Sequence, residues 1–476
     1  MNVLVFSSFH LPPSFVGLNL EFIQRNLDDG NKVFLIDCNG SFKECGFNTF
    51  GLKYMCEICK FRENNGLKLL SEKVSRFSLN ELISEEDKAL ASAYINNVEA
   101  LQKDNMFNGF EVGEAVYSSY ISKTRDRNFT STSDQDVLKK LAYNSILSFQ
   151  SILRFIKEKE IDSLFLFNGR WDYYRAALSA ARKSNIEIDV FENYRKGGFL
   201  RKFGDNLPHS ISKKTDLINE CWDSEIDYEK KKKIADSYFH NKRKGKTTTV
   251  KNFTSYQTKG KLPVGYINGV KTFVLYNSSD DEIAAVGSEF DNPYFKDQTE
   301  GILFIADYFK NRPDIQLIIR MHPNLKGLRT SYLTPIYNLD SIYNNVHLVK
   351  PEDDVDSYQL LDVADTVITF GSSIGVEATF WEKPVILLGK SFFGLDVAHV
   401  PDARDGITDL INDSLIPKDK LNARKIAYYL VEGGEKAIYY NNKINGDIFF
   451  KNTLLSYLPW WFKLYYKSLK KLGIHN

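Results

Sequence analysis

The stretch at residues 367–389, VITFGSSIGVEATFWEKPVILLG, admits few folds. Its two short apolar runs, 367–370 and 384–389, read as strands. Between them, residues 377–381 can be helical, entered through Gly371, Ser372 and Ser373. Strand, small-residue turn, helix and strand make the half-unit of a parallel α/β sheet, and such sheets bind ligands at the edge where that turn lies. Gly371 permits the tight turn, and Ser372 or Ser373 can cap the helix. The free amides and positive end of the helix then favour an anion such as phosphate. Glu377 falls one helical turn beyond Ser373 on the same face, where its carboxylate can accept sugar hydroxyls beside that phosphate. Taken alone, an ordinary capped helix in an α/β core is the simpler account.

Two further strand ends point the same way. Residues 315–323, IQLIIRMHP, form a strand that ends in Arg320, Met321, His322 and Pro323, which places two phosphate-competent donors at the same sheet edge. Pro323 stops that strand and fixes its exit. Residues 272–276 run into Asn277-Ser278-Ser279-Asp280-Asp281-Glu282, another strand with a polar turn behind it. Three polar strand ends in one domain suggest a site.

The set YNSSDDE, IIRMHPNLKG, DSYQLL and TFGSSIGVEATFWEKPVILLG resembles bacterial capsule and surface-polysaccharide biosynthesis proteins, which are glycosyltransferases of GT-B type. FNGR at 167–170 and FEN at 191–193 are similar to the matching N-terminal segments, and the His-Pro and Ser-Ser pairs are similar to those of sialyl- and Kdo-transferases. The resemblance covers most of the chain and is densest over about 270–400. It implies an α/β protein of two doubly wound Rossmann-like domains, using a nucleotide-activated sugar. It places Ser278, Ser279, Arg320, His322, Pro323, Tyr358, Gly371, Ser372, Ser373 and Glu377 around the donor, with Asn168 and Arg170 towards the acceptor. The donor nucleotide stays open between CMP, UDP and GDP, with a slight tilt to a CMP-linked acidic sugar.

At 476 residues the chain has room for two such domains. A formal net charge of +1 gives no reason to expect a nucleic-acid partner. The opening MNVLVFSSFH is strand-like with no basic run before it, and no apolar stretch approaches the ~20 residues that span a bilayer, so a cytoplasmic protein without signal peptide is expected.

Along the chain, residues 2–8 and 32–38 are strands around a helix at 18–27, and His10 lies in the first strand's exit loop. Cys38, Cys45, Cys56 and Cys59 follow as C-x6-C-x10-C-x2-C, which is either one half-regular zinc (or iron–sulfur) site or four plain thiols. Residues 69–137 read as a helical insertion, with no strand expected before Asp162. A helix at 136–157 precedes strands at 163–167 and 188–192, which end in Asn168-Gly169-Arg170 and in Glu192. The basic Lys230–Lys233 and 241–260 stretches read as interdomain linker. The expected division is 1–240 for the N-terminal, acceptor-side domain, 241–270 for the linker region, 271–425 for the nucleotide-sugar domain and 426–476 for closing helices and tail.

Sugar transfer needs donors to neutralise the leaving phosphate and a base for the acceptor hydroxyl. No D-x-D-type motif is convincingly placed, so metal-independent catalysis is expected. Asp280, Asp281, Glu192 and His10 are the base candidates. A sugar-nucleotide epimerase of the same fold, or a non-catalytic polysaccharide-assembly protein, would share most of these features. The tail, 449–476, holds five lysines, no acid and the run PWWFKLYY. It fits a helix lying in a membrane interface, where a lipid-linked glycan acceptor would be found at the inner face of the cytoplasmic membrane, or a terminal helix packed on the N-terminal domain.

Overall fold

The structure, a computed structural model, describes the chain except residues 50, 128–130, 196, 247–254, 280–283, 329, 392–393, 444–445, 461, 463, 465–467 and 469–476. The N-terminal domain opens with β1 (Asn2–Ser7), α1 (Pro13–Asp28), β2 (Lys32–Asp37), α2 (Lys53–Leu67) and β3 (Ser75–Ser78). Helices α3 (Leu79–Leu82), α4 (Glu85–Asn97), α5 (Val112–Thr124) and α6 (Thr132–Glu158) follow, then β4 (Ser163–Phe167), α7 (Asp172–Lys183), β5 (Glu187–Asn193) and β6 (Phe199–Lys202). Helices α8 (Ile211–Asp223) and α9 (Tyr228–Arg243) lead to the C-terminal domain. That domain contains β7 (Lys271–Tyr276), α10 (Gln298–Phe309), β8 (Ile315–Arg320), α11 (Thr334–Tyr337), α12 (Leu339–Ile342), β9 (Val346–Val349), α13 (Ser357–Val363), β10 (Thr366–Thr369), α14 (Ile374–Phe380) and β11 (Val385–Leu387). The chain ends through α15 (Gly406–Asn412), α16 (Lys420–Glu432), β12 (Glu435–Lys436) and a small meander, β13 (Tyr440–Asn442), β14 (Ile448–Phe450) and β15 (Thr453–Leu454).

Strand order is β3-β2-β1-β4-β5-β6-β12 in the first sheet and β9-β8-β7-β10-β11 in the second. The two sheets are doubly wound about β1/β4 and β7/β10, and only β6 and β12 run antiparallel to their neighbours. Together they form two Rossmann-like domains. Ligands bind such sheets in the crevice where strand order reverses.

Local sequence explains the elements. Central strands such as β1 and β8 are buried along nearly their whole length, as expected of strands covered on both faces by helices. The long α6 starts at a Ser131/Asp134 capping box and buries Leu138, Leu141, Ile152 and Phe155 along one stripe. One expectation fails here: a strand, β3, does lie before Asp162. Its sequence, SRFS, is too short and polar to signal a strand, and it exists because β2 offers an edge to pair with. A second correction concerns Lys230–Lys233, which lie inside α9 rather than in a linker.

The domains are joined by packing as well as by chain. Ile218 and Trp222 of α8 and Phe239 of α9 share one apolar cluster with Val376 and Phe380 of α14 and with Ile426 and Tyr429 of α16. Phe239 stacks on Phe380 with ring centroids 4.1 Å apart. Beyond α16, β12 pairs with β6, and the buried Glu21 of α1 accepts the amides of Ile438, Tyr439 and Tyr440 at 2.6, 2.7 and 2.8 Å. The C-terminal segment is thereby fastened to the N-terminal domain. Phe239→Ala should remove the centre of the joint and lower stability by about 3–5 kcal/mol. Chemical denaturation checks this, and a loss below about 1 kcal/mol would mean the joint carries little load.

Candidate functional site

In the C-terminal domain the crevice lies between the ends of β7 and β10. Gly371 turns the chain after β10 with φ +113, and a side chain there would strike the Lys390 carbonyl. Neither Ser372 nor Ser373 caps α14 through its side chain, contrary to expectation. Thr369 holds the turn instead, its Oγ1 accepting the amides of Gly371 at 3.3 Å and Ser372 at 3.0 Å. Because α14 starts at Ile374, the Ser373 residue is left exposed at the helix entrance.

Across the crevice, Gln298 clamps Ser278 by accepting its amide at 2.6 Å and donating to its carbonyl at 3.2 Å. Ser279 Oγ accepts from Asn324 Nδ2 at 3.1 Å and from Arg125 Nη2, at the end of α5, at 3.2 Å. The His322 amide donates to Asn277 Oδ1, and its Nδ1 accepts the Asn324 amide at 3.1 Å as Pro323 opens a short 3-10 turn. Ser278, Ser279, His322 and Pro323 are therefore gathered at one edge. Asp280 and Asp281 lie outside the described residues.

Three of the expected donor residues are turned elsewhere. Arg320 is 2% exposed, and its guanidinium donates to the Lys350 carbonyl at 2.7 Å and the Tyr256 hydroxyl at 3.2 Å. It braces the loop after β9. Glu377 is buried, accepting from the Tyr358 hydroxyl at 2.6 Å and pairing with Lys242 of α9 at 2.7 Å. Glu377 thus faces α9 and α13, and Tyr358 is consumed in holding it.

The N-terminal crevice faces this one. Asn168, held at φ +59 after β4, donates through Nδ2 to Glu192 Oε2 at the end of β5. Burial pushes the Glu192 carboxyl up to about 7 despite that hydrogen bond. Arg170 donates to Ser122 Oγ at 2.5 Å and to His209 Nε2 at 3.4 Å. Burial and Arg170 hold His209 neutral, and burial together with Arg201 brings Lys214 of α8 down to about 8. His209 and Lys214 carry no motif; the packing of α8 brings Lys214 beside Glu192, and His209 meets Arg170.

His10 is not with them. Its Nε2 lies 2.6 Å from Ser7 Oγ and 3.3 Å from Glu63 Oε1, and burial lowers it to about 3, so the ring is neutral. It borders a cavity of about 20 Å³ lined by Cys38, Cys45, Cys56 and Cys59. The thiols do converge, yet among the described residues no three His, Cys, Asp or Glu side chains are placed to hold a metal ion. Burial pushes Cys38 up to about 11 and Cys59 to about 12, with Cys45 and Cys56 also raised. Burial and this arrangement favour the plain-thiol alternative over a metal site.

Residues 271–398 match the family model described as capsule polysaccharide biosynthesis protein. No curated protein matches the chain. Among solved structures it is similar to the β-Kdo 2,4 transferase of Thermosulfurimonas dismutans KpsC, at 15% identity and TM-score 0.38 over 56% of this chain and 79% of that one. The β-Kdo 2,7 transferase of the same KpsC gives 16% identity and TM-score 0.35 over 62% and 83%. The UDP-GlcNAc 2-epimerase of Neisseria meningitidis, bound to UDP-GlcNAc, gives 15% and TM-score 0.27 over 90% and 99%.

The Glu377 pair makes a test of its own. Lys242→Ala leaves a buried carboxylate with Tyr358 alone and should cost about 3–5 kcal/mol. Replacing both Lys242 and Glu377 with Met should restore most of it. Equal losses in the single and double variants, by denaturant titration, would show that Glu377 is not held by this charge pair.

Proposed function

Because residues 271–398 match the family model described as capsule polysaccharide biosynthesis protein, we propose that the protein is a glycosyltransferase. It moves a sugar from a nucleotide-activated donor in the C-terminal crevice to a growing capsule or other surface glycan in the N-terminal one. The observation that carries this reading is Glu192, a carboxyl brought to about 7 by burial at the sheet edge that faces the donor crevice. A base works best with a pKa near the operating pH. Asn168 fixes its orientation.

In the step, ionised Glu192 takes the proton of the acceptor hydroxyl as that oxygen attacks the anomeric carbon. The bond to the donor phosphate breaks, and the phosphate leaves with the electron pair. Ionisation is required, so kcat/KM rises with pH about tenfold per unit below 7 and levels off above. Glu192→Gln should lower kcat by about 10²–10⁴-fold, abolish that limb and leave nucleotide binding in place. Transfer assays with radiolabelled CMP-, UDP- and GDP-sugars and a lipid-linked acceptor measure both. An unchanged pH profile in the Gln variant, or an epimerised donor formed without acceptor, would overturn the assignment.

The acceptor side also suggests a lipid surface as partner. Phe462 is buried against Tyr54 and Ile58 of α2 with its ring 5.7 Å from Phe61, while Tyr457, Trp460 and Leu464 are 55, 71 and 54% exposed. One side of the tail is seated, and the other presents Trp and Leu in a segment rich in lysine. That pattern supports peripheral docking on an anionic membrane from the cytoplasmic side, near a lipid-carried glycan. Among the described residues no helix is long and apolar enough to cross a membrane. Trp460→Ser with Leu464→Ser should abolish sedimentation with anionic liposomes while leaving the melting temperature unchanged. Wild-type protein that ignores such liposomes would remove the membrane from the account.

A further inference from the structure

The closing meander, β13 to β15, lies on the N-terminal domain with Tyr440 beside Glu192, and two glycines make room for it. On α1, a side chain at Gly17 would strike the Tyr440 ring at 2.6 Å. Ahead of β6, a side chain at Gly198, held at φ +77, would collide with the Tyr440 carbonyl. Asn442 fixes the contact by accepting the Gly198 amide through Oδ1 at 2.9 Å and the Gly197 amide through its carbonyl at 2.8 Å. Both side chains then converge on Asn193, the last residue of β5. Asn193 Oδ1 accepts from the Tyr440 hydroxyl at 3.4 Å and from Asn442 Nδ2 at 3.3 Å. The Asn193 amide in turn donates to Glu192 Oε1 at 3.1 Å, while Asn168 donates to Oε2. One hydrogen bond would let the carboxyl swing about it, whereas a donor on each oxygen fixes its plane. The donor to Oε1 belongs to a residue that the meander holds.

We propose that Tyr440 and Asn442 are positioning residues for Glu192, acting through Asn193. The carboxyl is aimed only once the end of the chain has folded back onto α1 and β5. Aim matters because a misplacement of about 1 Å can cost on the order of a hundredfold in rate. Glu192 is faced by Arg170 after β4, by Lys214 of α8 and by Tyr440, whose hydroxyl is kept neutral by burial and by the Glu192 carboxyl. Neutral replacements in the meander therefore alter the hold on Glu192 without altering the charge around it. The Asn193 amide favours the ionised carboxyl, so loosening it moves the Glu192 titration upwards. This inference rests on the reading of Glu192 as the base and adds the residues that set its geometry.

Two forms of the full chain test it: Tyr440→Phe combined with Asn442→Ala, and Gly17→Ala, which displaces the Tyr440 ring without removing any hydrogen-bonding side chain. In both, kcat for sugar transfer should fall roughly tenfold, with KM for the sugar nucleotide unchanged. The acid limb of kcat/KM should move up by about half a pH unit, and carbon NMR of labelled glutamate should show the Glu192 titration moving with it. A Glu192 titration that stays put in both forms overturns the inference, whatever the kinetics, and a lowered melting temperature with the titration unmoved marks the meander as a brace alone. If the titration stays put while Glu192→Gln loses transfer, the glycosyltransferase reading stands and only the positioning role falls. If Glu192→Gln transfers as the wild type does, the base assignment falls, and a titration moved in both forms still shows that the meander holds the carboxyl.

Discussion

The apolar joint of α8, α9, α14 and α16 is the contact on which the rest depends. Two doubly wound sheets linked by a chain segment alone would be free to present any edges to one another. Here Phe239 against Phe380, and Trp222 against Tyr428, lock helices from both halves into one cluster. Arg201 of β6 extends it, its guanidinium lying 3.4 Å from the centre of the Tyr194 ring and 3.7 Å from that of Tyr429. With that joint made, the ends of β4 and β5 face the ends of β7 and β10. The domains then touch again on the far side of the cleft, through Arg125 on Ser279 and Arg175 on the Val286 carbonyl.

The joint also fixes α8, whose Lys214 lies beside Glu192 in the N-terminal crevice. Glu192 is half-buried at the end of β5 and is raised by that burial, which the hydrogen bond from Asn168 and nearby Arg170 and Lys214 oppose only in part. A carboxyl at the same strand end in an open domain would titrate near its ordinary value of about 4.3. The deeper network around β1 has a different character. Asp37 and Glu63 share Arg76, His10 is neutral, and the four thiols beside them are protonated. It holds the first strand's exit loop closed and offers no ionised nucleophile.

What the sequence made legible follows from what is local. Strand ends 277–279, 322–323 and 371–373 were readable as a shared edge because each couples an apolar run to a polar turn, and the fold gathers them at β7, β8 and β10. Long-range choices were not readable. Glu377 looked like a sugar ligand until Lys242, far away in sequence, was brought against it by α9. Arg320 ends a strand beside the crevice, but its long side chain reaches carbonyls after β9. The spacing of Cys38, Cys45, Cys56 and Cys59 left metal site and plain thiols as alternatives, and it is their burial around one cavity that favours the thiols.

The central claim is that the packing of α8, held by the joint, against the end of β5 prepares Glu192 as a base. Its direct measurement is the titration of the Glu192 carboxyl in the intact protein, by carbon NMR of glutamate-labelled chain with Glu192→Gln to assign the signal. An apparent pKa near 7, falling towards 4.3 when Phe239→Ala loosens the joint, is the predicted result. A carboxyl that titrates near 4.3 in the wild-type protein would contradict the account.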